Sequence, residues 1–72
     1  DGDLVVIQPT GEPHDGQTVV ALLDSGEATL KKFYREGGRI RLQPANPNYP
    51  PIYADRVNIQ GVVVGVIRKF RD

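Results

Sequence analysis

Three side-chain types in this chain could carry covalent or proton-transfer chemistry, and their settings differ. Ser25 is the only serine, flanked by Asp24 and, two positions on, Glu27. Neighbouring carboxylates oppose the anionic oxygen that a nucleophile must develop, so Ser25 reads as a turn residue. His14 is the only histidine and lies among Pro and Gly residues. It reads as a solvated loop residue, with no Ser–His–Asp triad to be built around it. The absence of cysteine excludes a disulfide framework and a thiolate metal site, and a single histidine excludes a His cluster. Neither metal nor cofactor is expected.

The lysines are more informative. Along Thr29-Leu30-Lys31-Lys32-Phe33-Tyr34, strand periodicity puts Thr29, Lys31 and Phe33 on one face and Leu30, Lys32 and Tyr34 on the other. An ammonium held beside an aromatic ring loses hydration, its pKa falls, and the neutral amine becomes a general base. Alternation does not choose between the two lysines. A lysine that lays its stem on apolar surface and keeps its head in water fits the same pattern. The basic-aromatic stretch from Lys31 to Arg35, with Arg39 and Arg41 following, opens a second class of function. Small β-barrels bind single-stranded nucleic acid on aromatic platforms flanked by cations. Acids spread through the chain favour a solvated, mixed-charge sheet face instead.

The elements that must hold these residues are strands. Leu4-Val5-Val6-Ile7 is a short β-branched run stopped by Pro9 to Pro13. Thr18 to Leu23 is apolar at most positions and reads as a strand buried on both faces. Asp24-Ser25-Gly26 makes a tight turn, and Glu27 to Arg35 returns as a hairpin. Gly37-Gly38 breaks that run, and Arg39-Ile40-Arg41-Leu42 alternates as a half-buried strand does. Pro44, Pro47, Pro50 and Pro51 impose a loop, after which Ile52-Tyr53-Ala54 reads as a short edge strand. The last strand, Val57 to Phe70, is the longest. Many strands with frequent turns predict an all-β coiled sheet or partly open barrel.

Within that last strand, Val62, Val63, Val64, Gly65, Val66 and Ile67 lack the alternation of a strand with one wet face. Simple alternation places Val62, Val64 and Val66 on one face and Val63 and Ile67 on the other, with Gly65 permitting close backbone approach. Both faces need cover. Seventy-two residues make one small domain, too small to wrap such a strand unaided, so a second subunit is expected there. Lys69 and Arg71 would mark the strand's solvated end. Nine basic and nine acidic side chains cancel, giving no sign of a membrane or nucleic-acid partner. No apolar run reaches bilayer length.

Five segments, in order, resemble the C-terminal domain of LexA repressors, the S24 peptidases. They are Asp1-Gly2-Asp3, Asp15-Gly16-Gln17-Thr18-Val19-Val20-Ala21, Glu27-Ala28-Thr29-Leu30-Lys31-Lys32-Phe33, Ile40 through Pro47, and Gly61 through Arg68. UmuD and phage repressors share the pattern, as more distantly do signal peptidases. The loop Gln43 to Pro47 and the Val-rich end resemble LexA more than UmuD.

The resemblance implies a LexA/signal-peptidase-like fold, incomplete at its N-terminus, with residues 1–72 the C-terminal part of an autopeptidase and dimerisation domain. It implies a cytoplasmic bacterial parent that represses transcription and cleaves itself when stimulated by the RecA filament formed on damaged DNA. In that chemistry a neutral lysine takes the proton of a serine hydroxyl, which attacks the peptide bond. Lys31 occupies the lysine's position, and Lys32 becomes its exposed neighbour. The serine is expected upstream of Asp1, as are the scissile segment and the operator-reading domain, so DNA would be bound only through that N-terminal domain. The abrupt opening on Asp1-Gly2-Asp3 fits a cut edge, and the isolated chain is expected to be inactive. Homodimerisation is expected through residues 62–67. The other readings are a small β-barrel binding module for nucleic acid or peptide and a UmuD-like polymerase subunit.

Overall fold

The computed structural model describes residues 3–68. Six strands follow one another: β1 (Leu4–Gln8), β2 (Thr18–Leu22), β3 (Ala28–Glu36), β4 (Arg39–Gln43), β5 (Ile52–Ala54) and β6 (Asn58–Ile67). They form one antiparallel sheet in the order β1-β6-β2-β3-β4-β5. β1 and β5 are its two edges, so the sheet is open and not a closed barrel. Its radius of gyration is 13.2 Å and its long dimension 49 Å. A compact domain of this length has a radius of about 11 Å, so the sheet is extended.

Local chemistry accounts for the connections. Gly37 and Gly38 have φ of 55° and 83°, the left-handed pair that a two-residue hairpin turn demands. Before β2, the loop is zipped onto β3: Gly16 N donates to Phe33 O at 2.7 Å, Phe33 N to Gln17 O at 2.9 Å, and Arg35 N to Asp15 Oδ1 at 2.9 Å. In the proline-rich loop, Asn46 Oδ1 accepts from Asn48 N at 2.9 Å, an Asx turn that replaces strand bonds the prolines cannot make.

The core lies on one face. Val19, Ala21, Phe33, Ile40, Leu42 and Val62 are buried, with Val57 and Ile59 packed against them. β2, expected to be buried on both faces, instead alternates, with Val19 and Ala21 inside and Thr18, Val20 and Leu22 partly exposed. Its central position in the sheet protects both edges while one face stays wet, and that explains its near-continuous apolar sequence only in part.

β6 departs from simple alternation. Val20 pairs with Gly61 and Ala21 with Ile59, leaving Gln60 as an extra residue; Val6 pairs with Gly65 and Ile7 with Val63, leaving Val64 as another. Each is a bulge, and each re-phases the side chains beyond it. Val66 faces Val5 across the ladder while Val63 faces Ile7, so Val63 and Val66 share a face. Ile67, opposite Leu4, shares the face of Val62, opposite Gln8. The expected grouping of Val62, Val64 and Val66 is therefore corrected. The end of the expected strand, with Lys69 and Arg71, lies outside the described residues.

The close backbone approach expected at Gly65 occurs at Gly61. A Cβ there would meet Gln8 O at 2.7 Å and Ile7 Cγ2 at 2.5 Å, whereas one on Gly65 would find Val6 Cβ at 4.0 Å. Forcing an extra carbon into such a site costs about 1–3 kcal/mol. Gly61→Ala should lower the unfolding free energy measured in urea by that amount while Gly65→Ala leaves it nearly unchanged, and equal effects at the two glycines would refute this placement of the crossing.

Candidate functional site

Lys31 projects from the core face. It is opposite Val19 in the β2–β3 ladder, and Val19 is in turn opposite Val62 and Val62 opposite Gln8. One row thus runs Gln8–Val62–Val19–Lys31 across four strands. Phe33 and Thr29 lie on either side of Lys31 along β3 on this face, as alternation predicts. Phe33 is 1% and Val19 0% exposed. Lys31 is half-buried, and its Nζ donates to Thr29 Oγ1 at 2.8 Å. The threonine hydroxyl replaces one of the water contacts that the amine loses to burial. Lys32 is exposed on the opposite face. The two lysines thus differ in face and in burial.

A surface depression of about 360 Å³ lies at the strand edge beside Lys31, lined there by Pro44 and Ala45 and by Thr18, Leu30 and Lys32 of the opposite face. It opens because β4 leaves β3 early: the two pair only from Lys32↔Gln43 to Glu36↔Arg39. Pro44, which has no N–H to offer a ladder, follows at once. Residues Ala28 to Lys31 are paired to β2 on one side and have no strand partner on the other among the described residues. A bare strand edge therefore runs directly up to the amine, and such an edge offers backbone groups to an extended peptide.

Ser25 is held in the β2–β3 turn. Its Oγ lies 3.2 Å from Glu27 Oε1 and accepts from Glu27 N at 3.4 Å. Lys31 lies three residue steps along the strand from Ala28, about 10 Å of rise, so Ser25 and Lys31 are not brought together. His14 is exposed in the loop after β1, where its backbone N donates to Gln17 Oε1 at 2.7 Å. Among the described residues no group of three His, Asp or Glu side chains could hold a metal ion.

The residues proposed for a partner divide. Val62 is 4% exposed and belongs to the chain's own core, whereas Val64, Val66 and Ile67 are 56%, 60% and 54% exposed. Val63 and Gly65 are intermediate. β1 adds Leu4, Val5, Val6 and Ile7, all at least 39% exposed. β2 pairs with β6 only as far as Val62, so beyond it β1 and β6 form a two-stranded ribbon that is apolar on both faces.

One feature of the outer face was only half visible beforehand. The basic-aromatic stretch forms ordered pairs: Arg41 stacks over Tyr34 at 4.2 Å and Arg39 over Tyr53 at 5.1 Å. Arg41 Nε also donates to Glu36 Oε2 and its Nη1 to Gln43 Oε1, each at 2.8 Å. The pairing of β5 with β4, Tyr53 opposite Arg41, brings in the second tyrosine from beyond the proline loop, which no local pattern announced.

Comparison with known proteins gives a consistent answer. The chain is 53% identical over 74 residues to a LexA repressor of Syntrophotalea carbinolica, covering 99% of this chain and 36% of that protein. It is 52% identical over 73 residues to a LexA repressor of Roseiflexus sp. (strain RS-1), covering 97% of this chain and 34% of that one. It is 49% identical over 72 residues to a LexA repressor of Zymomonas mobilis, covering 97% and 33%. The chain thus spans about a third of the length of these curated relatives. No helix among the described residues is long and apolar enough to cross a membrane. A family model described as Peptidase S24-like matches residues 1–64, and with the open antiparallel sheet already described the chain belongs to that family.

Proposed function

We propose that this chain is the lysine-bearing part of the self-cleaving, dimerising C-terminal domain of a LexA-type transcriptional repressor, with Lys31 as general base. The observation that carries the reading is the half-buried Lys31 amine on the core face, beside Phe33 and Val19 and next to a free strand edge. In the proposed step the neutral amine takes the proton of a serine hydroxyl supplied by residues preceding Asp1 in the parent. The alkoxide oxygen bonds to the peptide carbonyl carbon, and the resulting ammonium returns the proton to the leaving amine as the C–N bond breaks. The bare edge of β3 at Ala28 to Lys31 suits a scissile segment bound as an added strand.

In the same reading the ribbon of β1 and β6 is the homodimer surface, through Val63, Val64, Gly65, Val66 and Ile67, with Val62 anchoring it to the core. Operator DNA is read by the parent's N-terminal domain, and the RecA filament stimulates cleavage in the bacterial cytoplasm. A UmuD-like polymerase subunit would use the same dyad, and only the residues preceding Asp1 distinguish the two.

Arginine keeps the charge of lysine but does not give up its proton in proteins. In the full-length parent, Lys31→Arg should therefore slow self-cleavage by at least about a hundredfold, the lower range for a lost general base. Lys32→Arg should leave the rate within a few fold. Cleavage that persists in Lys31→Arg would remove Lys31 from the mechanism. For the 72-residue chain alone, we expect no stoichiometric labelling by a serine-directed fluorophosphonate, and full labelling at Ser25 would overturn the assignment of the nucleophile to upstream residues. Val64→Asp with Val66→Asp should shift the parent from dimer to monomer in sedimentation at micromolar concentration; an unchanged dimer would move the interface elsewhere.

A further inference from the structure

The charges of this neutral chain are unevenly placed. From Lys31 to Arg41 there are five cations and one acid, Glu36. The segment is the β3–β4 hairpin, which is flanked by β5 along Ile40 to Leu42 and by the loop before β2 along Phe33 to Arg35, so that only its tip, Glu36 to Arg39, projects. Tyr34, Arg39 and Arg41 point to the outer face, while Arg35 shares the parity of Phe33 and lies on the other, so both faces of the hairpin end display guanidinium groups.

These arginines are held in place. Arg41 lies over Tyr34 at 4.2 Å, Arg39 over Tyr53 at 5.1 Å and Arg35 over Phe33 at 5.6 Å. A guanidinium stacked on a ring by its flat face keeps its edge N–H donors free and loses less entropy when an anion arrives. Arg35 and Arg39 are exposed, and their guanidinium groups form no ion pair among the described residues, the Asp15 carboxylate accepting only from the backbone N of Arg35. Arg41 is partly neutralised by Glu36. Arg39 and Arg41 lie two residues apart on one strand, about 7 Å.

We propose that the β3–β4 hairpin is a contact surface for the phosphate backbone of duplex DNA, without base preference. Planar, forked donors match phosphate oxygens. Single strands are a poorer match, because their binders stack bases on free aromatic faces, and Tyr34 and Tyr53 each already carry an arginine. The surface is separate from the Lys31 amine, and it adds a non-specific contact to the operator reading assigned above to the N-terminal domain.

The test is anisotropy of a short labelled duplex of arbitrary sequence, titrated with the 72-residue chain over a range of salt. Each phosphate neutralised contributes about 0.9 to the slope of log K against log salt. Arg35→Gln with Arg39→Gln should reduce that slope by about 2 and weaken binding at low salt at least tenfold, with the far-UV circular dichroism unchanged. Glu36→Gln, which removes the acid paired with Arg41, should tighten binding severalfold. Arg68→Gln, on the β1–β6 ribbon, should change nothing. The proposal is overturned by absence of duplex binding at low salt, or by an unchanged slope in the double variant. It is equally overturned by an equal loss in Arg68→Gln, by tighter binding of a single strand, or by competition from polyglutamate as effective as that from duplex.

Discussion

A single layer of sheet has to make its own interior, and everything else in this molecule follows from how little it has to work with. Phe33, Leu42 and Val19 are its largest fully buried side chains, and they come from three adjacent strands. Packing on one face of an open sheet requires the sheet to coil, and Val57 and Ile59, at the return from β5 into β6, lie against the same cluster. Phe33 holds this arrangement together. It sits opposite Leu42, and both of its backbone groups bond the loop before β2. Lys31, two residues away on the same face, inherits its partly dry surroundings from that ring.

The two ends of the sheet differ because that interior is central. On one side, beyond Val62, β1 and β6 leave apolar side chains on both faces. On the other, beyond Leu42, the β3–β4 hairpin is basic and aromatic. The β1–β6 ribbon beyond Val62 adds nothing to the buried cluster and the hairpin end adds only Ile40, so most of each region is free to be specialised for contact with something else. Their chemistries are opposite: aliphatic surface gains by being removed from water, whereas stacked guanidinium groups attract anions over a distance set by salt.

Much of this was legible in advance, and for identifiable reasons. Gly37-Gly38, Asp24-Ser25-Gly26 and the prolines between Pro44 and Pro51 mark the turns because their backbone preferences act locally. Lys31 falls on the face of Phe33 because β3 is regular, and period-two reasoning holds wherever no residue is inserted. It failed in β6, where Gln60 and Val64 are extra residues that no composition signal identifies. A bulge depends on how two partner strands meet, and the last strand's insertion between β1 and β2 is a long-range fact. Likewise Tyr53 reaches Arg39 only because β5 docks on β4. The resemblance carried by five ordered segments supplied what periodicity could not, the choice of Lys31 over Lys32 as the residue to test.

The paired insertions in β6 also govern how the strand can err. An unbroken run of valines would slide along its neighbours with small penalties, since each side chain resembles the next. Here a shift by one residue would carry Gly61 away from the crossing over Gln8 and bring Gln60 or Val62 into a gap with no room for a Cβ. It would also leave both irregularities facing regular backbone. The strand with the least distinctive side chains is thus keyed by its main chain, like a bolt with two notches that seats at a single depth.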